Sequence, residues 1–336
     1  MTQSWNEFLA TLGHRDQDFG NVAAELAAAA NATVLVPLGD LGLLRASGAD
    51  AAEFLHNLLS NDVKNILADT VRLAGFCTAK GRLLATPLIW REGDDFLLLL
   101  SADLLPAMLK KLSMFVLRSK VKLSDASADR VLLGLAGANA ATALAELGVT
   151  APGSMQVAAF GEVQVIGFGA NRYLLGVDPA QATAVWNKLV THAQPAGLAA
   201  WHWLEIAAGV PRIVAATQEA FVPQMVNLEL VGGVSFTKGC YPGQEIVART
   251  HYLGKIKRRM YRAKIDGPGA AGAPLFSAEA GDQSCGELVQ VAPSPDGGYE
   301  CLAVIQTPSA DAGHVRIGAI DGPSLQLMTL PYALPS

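Results

Sequence analysis

The 336 residues allow two or three domains, and 51% hydrophobic against 16% charged residues promises sizeable cores and excludes global disorder. No apolar run approaches the roughly 20 residues of a membrane span, and Met1-Thr2-Gln3-Ser4-Trp5-Asn6-Glu7 lacks a basic and apolar leader, so no secretory signal and no membrane partner are expected and the chain is expected in the cytoplasm. A net charge of −5 argues against bulk affinity for nucleic acid. The four cysteines, Cys77, Cys240, Cys285 and Cys301, include no CxxC spacing, so no metal or cluster site and no disulfide is expected.

Residues 4–30 read as helical: Trp5, Phe8, Leu9 and Leu12 share a face, and the Ala-rich run from Val22 onward has high helix propensity until Asn31. Residues 33–37 and 41–46 are apolar stretches around Gly39-Asp40, a hairpin signal. Asp50 caps a helix with Ala51, Phe54, Leu55, Leu58 and Leu59 inward. Strand-like pieces at 72–77, 83–89 and 96–100 follow, joined by turns at Lys80-Gly81-Arg82 and Gly93-Asp94-Asp95, and then a helix over 102–116.

Residues 43–58 resemble residues 132–147, with eight of sixteen positions identical at a constant offset of 89. Both copies read as strand, Gly, Asp or Asn cap, and helix, and the second leads into strands at 157–160, 163–168 and 172–177 and a helix over 179–192. A generic strand–cap–helix unit explains the likeness as readily as a duplication. A helix over 201–208 ends at Gly209 and Pro211, and residues 211–236 form a long connection with little periodicity. From residue 257 on, short strands at 257–265, 287–292, 299–305, 315–317 and 325–327 alternate with Gly/Pro turns, the pattern of a small β-barrel or sandwich. The expected domains are an N-terminal helical segment (1–30), a first α+β lobe (31–123), a second lobe (124–254, of which 218–254 is free to pack back on the first) and a C-terminal β-barrel (255–336).

The segment Lys238-Gly239-Cys240-Tyr241-Pro242-Gly243-Gln244-Glu245 is the candidate functional centre. Two glycines and a proline in five residues imply a sharp, fixed turn that presents the thiol. Lys238 and Arg249 are cations close enough in sequence to favour the thiolate. Gln244, Glu245 and Arg249 read as an extended strand, with Glu245, Val247 and Arg249 on one face. Spacing alone leaves a buried turn with a small hydrophobic Cys240 equally open.

Residues 238–250, Lys-Gly-Cys-Tyr-Pro-Gly-Gln-Glu-Ile-Val-Ala-Arg-Thr, resemble the signature of the YgfZ-type folate-binding proteins, relatives of the aminomethyltransferase (T-protein) of the glycine cleavage system. Gly48-Ala49-Asp50-Ala51-Ala52-Glu53-Phe54-Leu55, Ser60-Asn61-Asp62-Val63, Ala79-Lys80-Gly81-Arg82, Ala208-Gly209-Val210-Pro211 and Phe221-Val222-Pro223-Gln224 occur in the family's order. The resemblance implies an α+β fold, with two related ferredoxin-like lobes and a C-terminal β-barrel in a three-domain ring around a central folate site. It implies tetrahydrofolate as cofactor, with Tyr241 and Gln244 among the residues that bind it, iron–sulfur client or assembly proteins as partners, and a functional Cys240 accompanied by Lys238, Gln244, Glu245 and Arg249. A family Trp tied to folate binding falls on Trp201. An indole offers a pterin a stacking surface, and Glu205, one turn on, suits its 2-amino and N3–H donors. An amphipathic helix with Trp201 in the core and Glu205 in solvent is the alternative.

Two departures stand out. Leu41 occupies the place of a second family Trp, and Thr78-Ala79-Lys80 lacks the acidic residue often found there. Of the candidate acid/base groups Asp62, Glu205 and Glu245, none has a placed role, which weakens a T-protein-like one-carbon transfer. Lys255, Lys257, Arg258, Arg259, Arg262 and Lys264 form a basic run that suits polyglutamate, RNA as in a tRNA-modification factor, or a solvated strand face. The leading reading is a folate-binding accessory protein for iron–sulfur enzymes; an aminomethyl transferase and a tRNA-modification factor are the alternatives.

Overall fold

The computed structural model of the protein describes residues 3–335 apart from Asp16, Leu253 and Lys255. Helices α1 (Gln3–Thr11) and α2 (Val22–Asn31) replace the single helical segment expected over 4–30. Gly13 and Gly20 adopt φ of +85° and +92°, and Asn21 starts α2 afresh by accepting the Ala24 N–H at 3.1 Å. Next come β1 (Val34–Pro37), β2 (Leu41–Ser47), α3 (Ala51–Leu58), β3 (Val71–Leu73), β4 (Phe76–Cys77), β5 (Leu83–Ala85), β6 (Leu88–Glu92), β7 (Asp95–Ser101) and α4 (Leu105–Val116). The chain continues with β8 (Lys122–Asp125), β9 (Val131–Ala136), α5 (Ala140–Ala145), β10 (Gln156–Phe160), β11 (Val163–Gly167), β12 (Arg172–Val177), α6 (Ala182–Leu189), β13 (Gln194–Pro195) and α7 (Leu198–Ala207). After the long connection lie α8 (Gln244–Tyr252), β14 (Arg258–Ile265), β15 (Pro274–Phe276), β16 (Gly286–Pro293), β17 (Tyr299–Gln306), α9 (Thr307–Ala312), β18 (Arg316–Ile317) and β19 (Leu325–Met328). The fold is mixed α+β, and among the described residues no helix is long and apolar enough to cross a membrane.

Two compact units form. The first comprises the residues up to Ala52, Asn65–Arg72 and Leu88–Trp201. It holds a six-stranded sheet in the order β10-β11-β12-β9-β1-β13 and a five-stranded sheet in the order β3-β6-β7-β2-β8. Each sheet is built on one repeat copy: β2 runs antiparallel to β7, with Leu43 opposite Leu99, and β9 antiparallel to β12, with Leu133 opposite Leu175. The hairpin expected at Gly39-Asp40 does not form, because β1 pairs with β9 and β13 while β2 pairs with β7 and β8. The strand ahead of each copy thus joins the other copy's sheet: β1 precedes the first copy and β8 the second. Burial explains the exchange. All four β1 residues are buried, so β1 needs a strand on each edge and cover on both faces, which a two-stranded hairpin lacks.

The repeat extends to backbone geometry. Gly48 (φ +116°) and Gly137 (φ +125°) hold matching positions, and a Cβ there would lie 2.2 Å from the Lys120 carbonyl oxygen or 2.3 Å from that of Ala32. Only glycine permits both the conformation and the approach. One core of this unit gathers Trp5, Leu35, Leu133, Leu135, Leu175 and Trp186.

The second unit comprises Glu53–Lys64, Leu73–Pro87 and the residues from His202 onward. Its largest sheet has the order β18-β15-β16-β17-β14-β19, and a bridge between Arg316 and Ser324 joins its two edges. Leu325 N–H donates to the Val315 carbonyl at 2.9 Å beside that bridge, so the sheet closes around Ala263, Leu288, Ala303 and Ile305. The long connection contains short 3-10 helices at Ala215–Thr217 and Pro223–Val226, and Gln224, Asn227 and Leu228 within it are wholly buried.

Candidate functional site around Cys240

The Cys240 loop is fixed from both sides. Downstream, Tyr241-Pro242-Gly243-Gln244 forms a turn in which the Gln244 N–H donates to the Tyr241 carbonyl and the Tyr241 N–H donates to Gln244 Oε1, each at 3.1 Å. Proline in second place and Gly243 at φ +80° in third meet the demands of a type II turn. A Cβ on Gly243 would stand 2.5 Å from the Thr78 carbonyl oxygen and 2.6 Å from the Gly81 Cα, so the loop rests backbone to backbone on the turn joining β4 to β5. Thr78 and Ala79, where the acidic residue is missing, lie in that turn.

The turn also starts α8, since the Val247 N–H donates to the Gly243 carbonyl at 3.2 Å. Residues 244–249 are therefore helical, which corrects the extended strand expected there. Val247 is buried and its carbonyl accepts the Gln224 amide at 2.6 Å, so packing against the long connection overrides local propensity. Glu245 and Arg249 remain neighbours, now one helical turn apart, and both are exposed.

Upstream, Lys238 Nζ donates to the carbonyls of His56 and Leu59, the latter at 2.7 Å, at the C-terminal end of α3. Cations suit that end of a helix because its last carbonyls lack partners. Lys238 Nζ also lies 5.0 Å from the ring centroid of Tyr241, itself buried. The ammonium expected to serve the thiol thus anchors the loop to α3. Burial pushes its pKa down to about 8, against the opposing fields of Asp62 and Cys240.

His56 is the part of the site that sequence reading missed. Its Nδ1 lies 3.2 Å from Asp62 Oδ1, and its Nε2 faces Gly239. Burial, then the nearby Lys238 ammonium, hold His56 below its ordinary pKa while Asp62 opposes them. A histidine in the last turn of a helix reads from sequence as a dipole partner, and nothing local connects it to a loop some 180 residues later.

Cys240 is exposed between these anchors, whereas Cys77, Cys285 and Cys301 are buried. Burial drives Cys77 and Cys301 up to about 12 and raises Cys285 as well. Iodoacetamide at mildly alkaline pH is expected to alkylate Cys240 alone in the folded protein and all four thiols after denaturation, read by peptide mass spectrometry. A second labelled cysteine in the native protein would contradict this geometry.

Cys240, Lys238, Tyr241, Gln244, Glu245 and Arg249 come together with His56 and Asp62 in the second unit. Leu41 and Trp201 belong to the first: Leu41 opens β2, half-buried and opposite Ser101. Trp201 is 1% exposed, with Gly134 so close beneath its ring that a Cβ there would lie 2.4 Å from Cε3. Arg172 stands 5.7 Å from the ring centroid, and Trp201 Nε1 is buried without a hydrogen bond. On the same face of α7, Glu205 Oε2 is likewise buried without a hydrogen bond, 3.5 Å from Arg212 Nε.

Two arginines of the basic run prove structural, while Lys257 is exposed. Lys255 lies outside the described residues. Arg259 is buried, with Nη1 donating to Glu229 Oε1 at 2.5 Å and the Gln224 carbonyl at 3.0 Å. Arg262 donates to Glu300 Oε2 through Nε at 2.9 Å and Nη2 at 2.6 Å. Neither guanidinium is available to a polyanion.

The GCVT N-terminal domain model matches residues 3–236. The tRNA-modifying protein YgfZ of Yersinia pestis (strain Pestoides F) is 32% identical over 306 residues, covering 89% of this chain and 92% of that protein. Its namesake from Sodalis glossinidius (strain morsitans) is 32% identical over 307 residues, covering 89% and 93%. In fold, the chain is similar to the crystal structure of the glycine cleavage system aminomethyltransferase T from Bartonella henselae, with a TM-score of 0.73 at 20% identity over 98% of this chain and 97% of that one.

Proposed function

The chain belongs to the YgfZ family and carries the GCVT N-terminal domain, and from that premise we propose a folate-binding factor of tRNA modification that sustains iron–sulfur proteins through the thiol of Cys240. The observation that carries this reading is the exposure of Cys240, against the burial of the other three cysteines, on a loop pinned to α3 and to the β4–β5 turn. An exposed thiol held at a fixed place is suited to meeting a partner molecule, and a buried one is not.

Two buried polar atoms without hydrogen bonds, Glu205 Oε2 and Trp201 Nε1, support the folate part. A pterin brings adjacent N–H donors on its 2-amino and N3 edge, and a carboxylate accepts both at once. Bound tetrahydrofolate supplies one-carbon chemistry. In this reading Glu205 accepts the pterin edge with Arg212 beside it, and Trp201, packed on Gly134, orients the face of α7 that carries Glu205. Transfer of the glycine-cleavage type finds no support, because the turn beneath Gly243 presents Thr78 and Ala79 rather than a carboxyl group.

Tetrahydrofolate titrated into the purified protein is expected to bind, and Glu205→Gln to weaken binding about tenfold or more, the loss of a charged acceptor being worth roughly 1.5–3 kcal/mol. Equal affinity would remove Glu205 from the site. In a bacterial strain lacking its own YgfZ, this chain is expected to restore modified tRNA nucleosides and iron–sulfur enzyme activity together; restoration of neither would overturn the reading.

A further inference from the structure

A second set of exposed cations lies away from the run at 257–264, in which Lys257 is exposed as well. Between Lys110 and Lys122 the chain carries five of its 25 basic residues, Lys110, Lys111, Arg118, Lys120 and Lys122, and none of its 30 acidic ones. All but the half-buried Lys111 are exposed or half-exposed on the surface. The segment spans the end of α4, whose inner face is Leu105, Met108 and Leu112, and the turn into β8. At its tip Met114, Phe115 and Leu117 are 61%, 42% and 88% exposed, and Leu117 is turned outward by a backbone φ of +41°, unusual for a bulky residue. Large apolar side chains clustered in solvent among cations mark a contact surface.

The chemistry of its hollow selects the partner. Phe115, Leu117, Arg118, Ser119 and Asp50 line it. Asp50 Oδ2 accepts the Lys120 N–H at 2.7 Å, which fixes the carboxylate as an acceptor at the wall of the hollow. A phenyl ring and a guanidinium are stacking surfaces for a nucleobase, and a hydroxyl and a carboxylate oxygen can read its polar edge. A flat anionic bilayer has no use for a hollow with a carboxylate in it, and a second copy of this chain would set five cations against five. Resting on the reading as a factor of tRNA modification, we infer that residues 110–122 with Asp50 form a tRNA contact, in which Lys110, Lys111, Arg118 and Lys120 meet backbone phosphates and the Phe115–Arg118 hollow takes an unstacked base.

The test is fluorescence anisotropy of a labelled, unmodified tRNA transcript with the full chain across a salt series. Arg118→Glu/Lys120→Glu is expected to weaken binding at least tenfold and to flatten the dependence of log K on log salt by about 0.7–0.9 for each phosphate no longer neutralised. Phe115→Ala is expected to weaken binding about tenfold with the slope unchanged, because stacking is not electrostatic. Both variants alter exposed side chains, and unchanged thermal melting verifies their fold. Unaltered affinity in both variants would overturn the inference, as would a wild-type chain that binds vesicles of equimolar phosphatidylglycerol and phosphatidylcholine but not the transcript. The strain assay separates the two claims: a chain that restores tRNA modification while binding no transcript removes this contact and leaves the function, whereas one that restores nothing removes the function itself.

Discussion

Gly243→Ala is expected to destabilise the protein by about 2–5 kcal/mol and to shift the Cys240 loop off the β4–β5 turn. Two costs combine. At φ +80° an L side chain meets its own backbone, at roughly 1–2 kcal/mol. The new Cβ would also lie 2.5 Å from the Thr78 carbonyl oxygen and 2.6 Å from the Gly81 Cα, and these are backbone atoms that cannot swing aside as a side chain does. Overpacking of that kind costs about 1–3 kcal/mol. Chemical denaturation measures the loss, and limited proteolysis of the native variant should cut first near residues 238–243. An unchanged midpoint would mean that the loop does not rest on that turn.

Arg262→Ala is expected to cost about 3–5 kcal/mol. Its partner Glu300 is only 3% exposed, and its Oε1 is occupied by the Trp203 indole N–H at 2.9 Å and the Ser294 hydroxyl at 3.0 Å. Removing the guanidinium strands a buried carboxylate on Oε2. The double variant Arg262→Met/Glu300→Gln should lose markedly less, because no buried charge remains and the glutamine oxygen still accepts from Trp203. Were the double variant as unstable as the single one, the charge itself would not be what Arg262 serves.

These two sites show what the sequence made legible. The turn at Gly243 was readable because its chemistry is local: proline fixes one φ, glycine allows the next to be positive, and four residues suffice to specify the bend. The matched glycines at 48 and 137 were readable as a repeat for the same reason. The helix after the turn was not, since Ile246, Val247 and Thr250 favour strands by composition and the contact that overrides them comes from Gln224. The role of Arg262 was not readable either, because its partner Glu300 lies 38 residues on and nothing between them indicates burial. The same limit hid the exchange of β1 and β8 between the two sheets, and it hid the anchoring of Lys238 on α3.

The central claim is that Cys240 is the reacting group of the protein. Its most direct measurement uses the strain lacking YgfZ, supplied at equal protein levels with the wild-type chain, with Cys240→Ser, or with Cys285→Ser as a control for loss of a thiol elsewhere. Modified tRNA nucleosides and iron–sulfur enzyme activity should return with the wild type and with Cys285→Ser and stay absent with Cys240→Ser, although that variant melts at the wild-type temperature. Full restoration by Cys240→Ser would contradict the account.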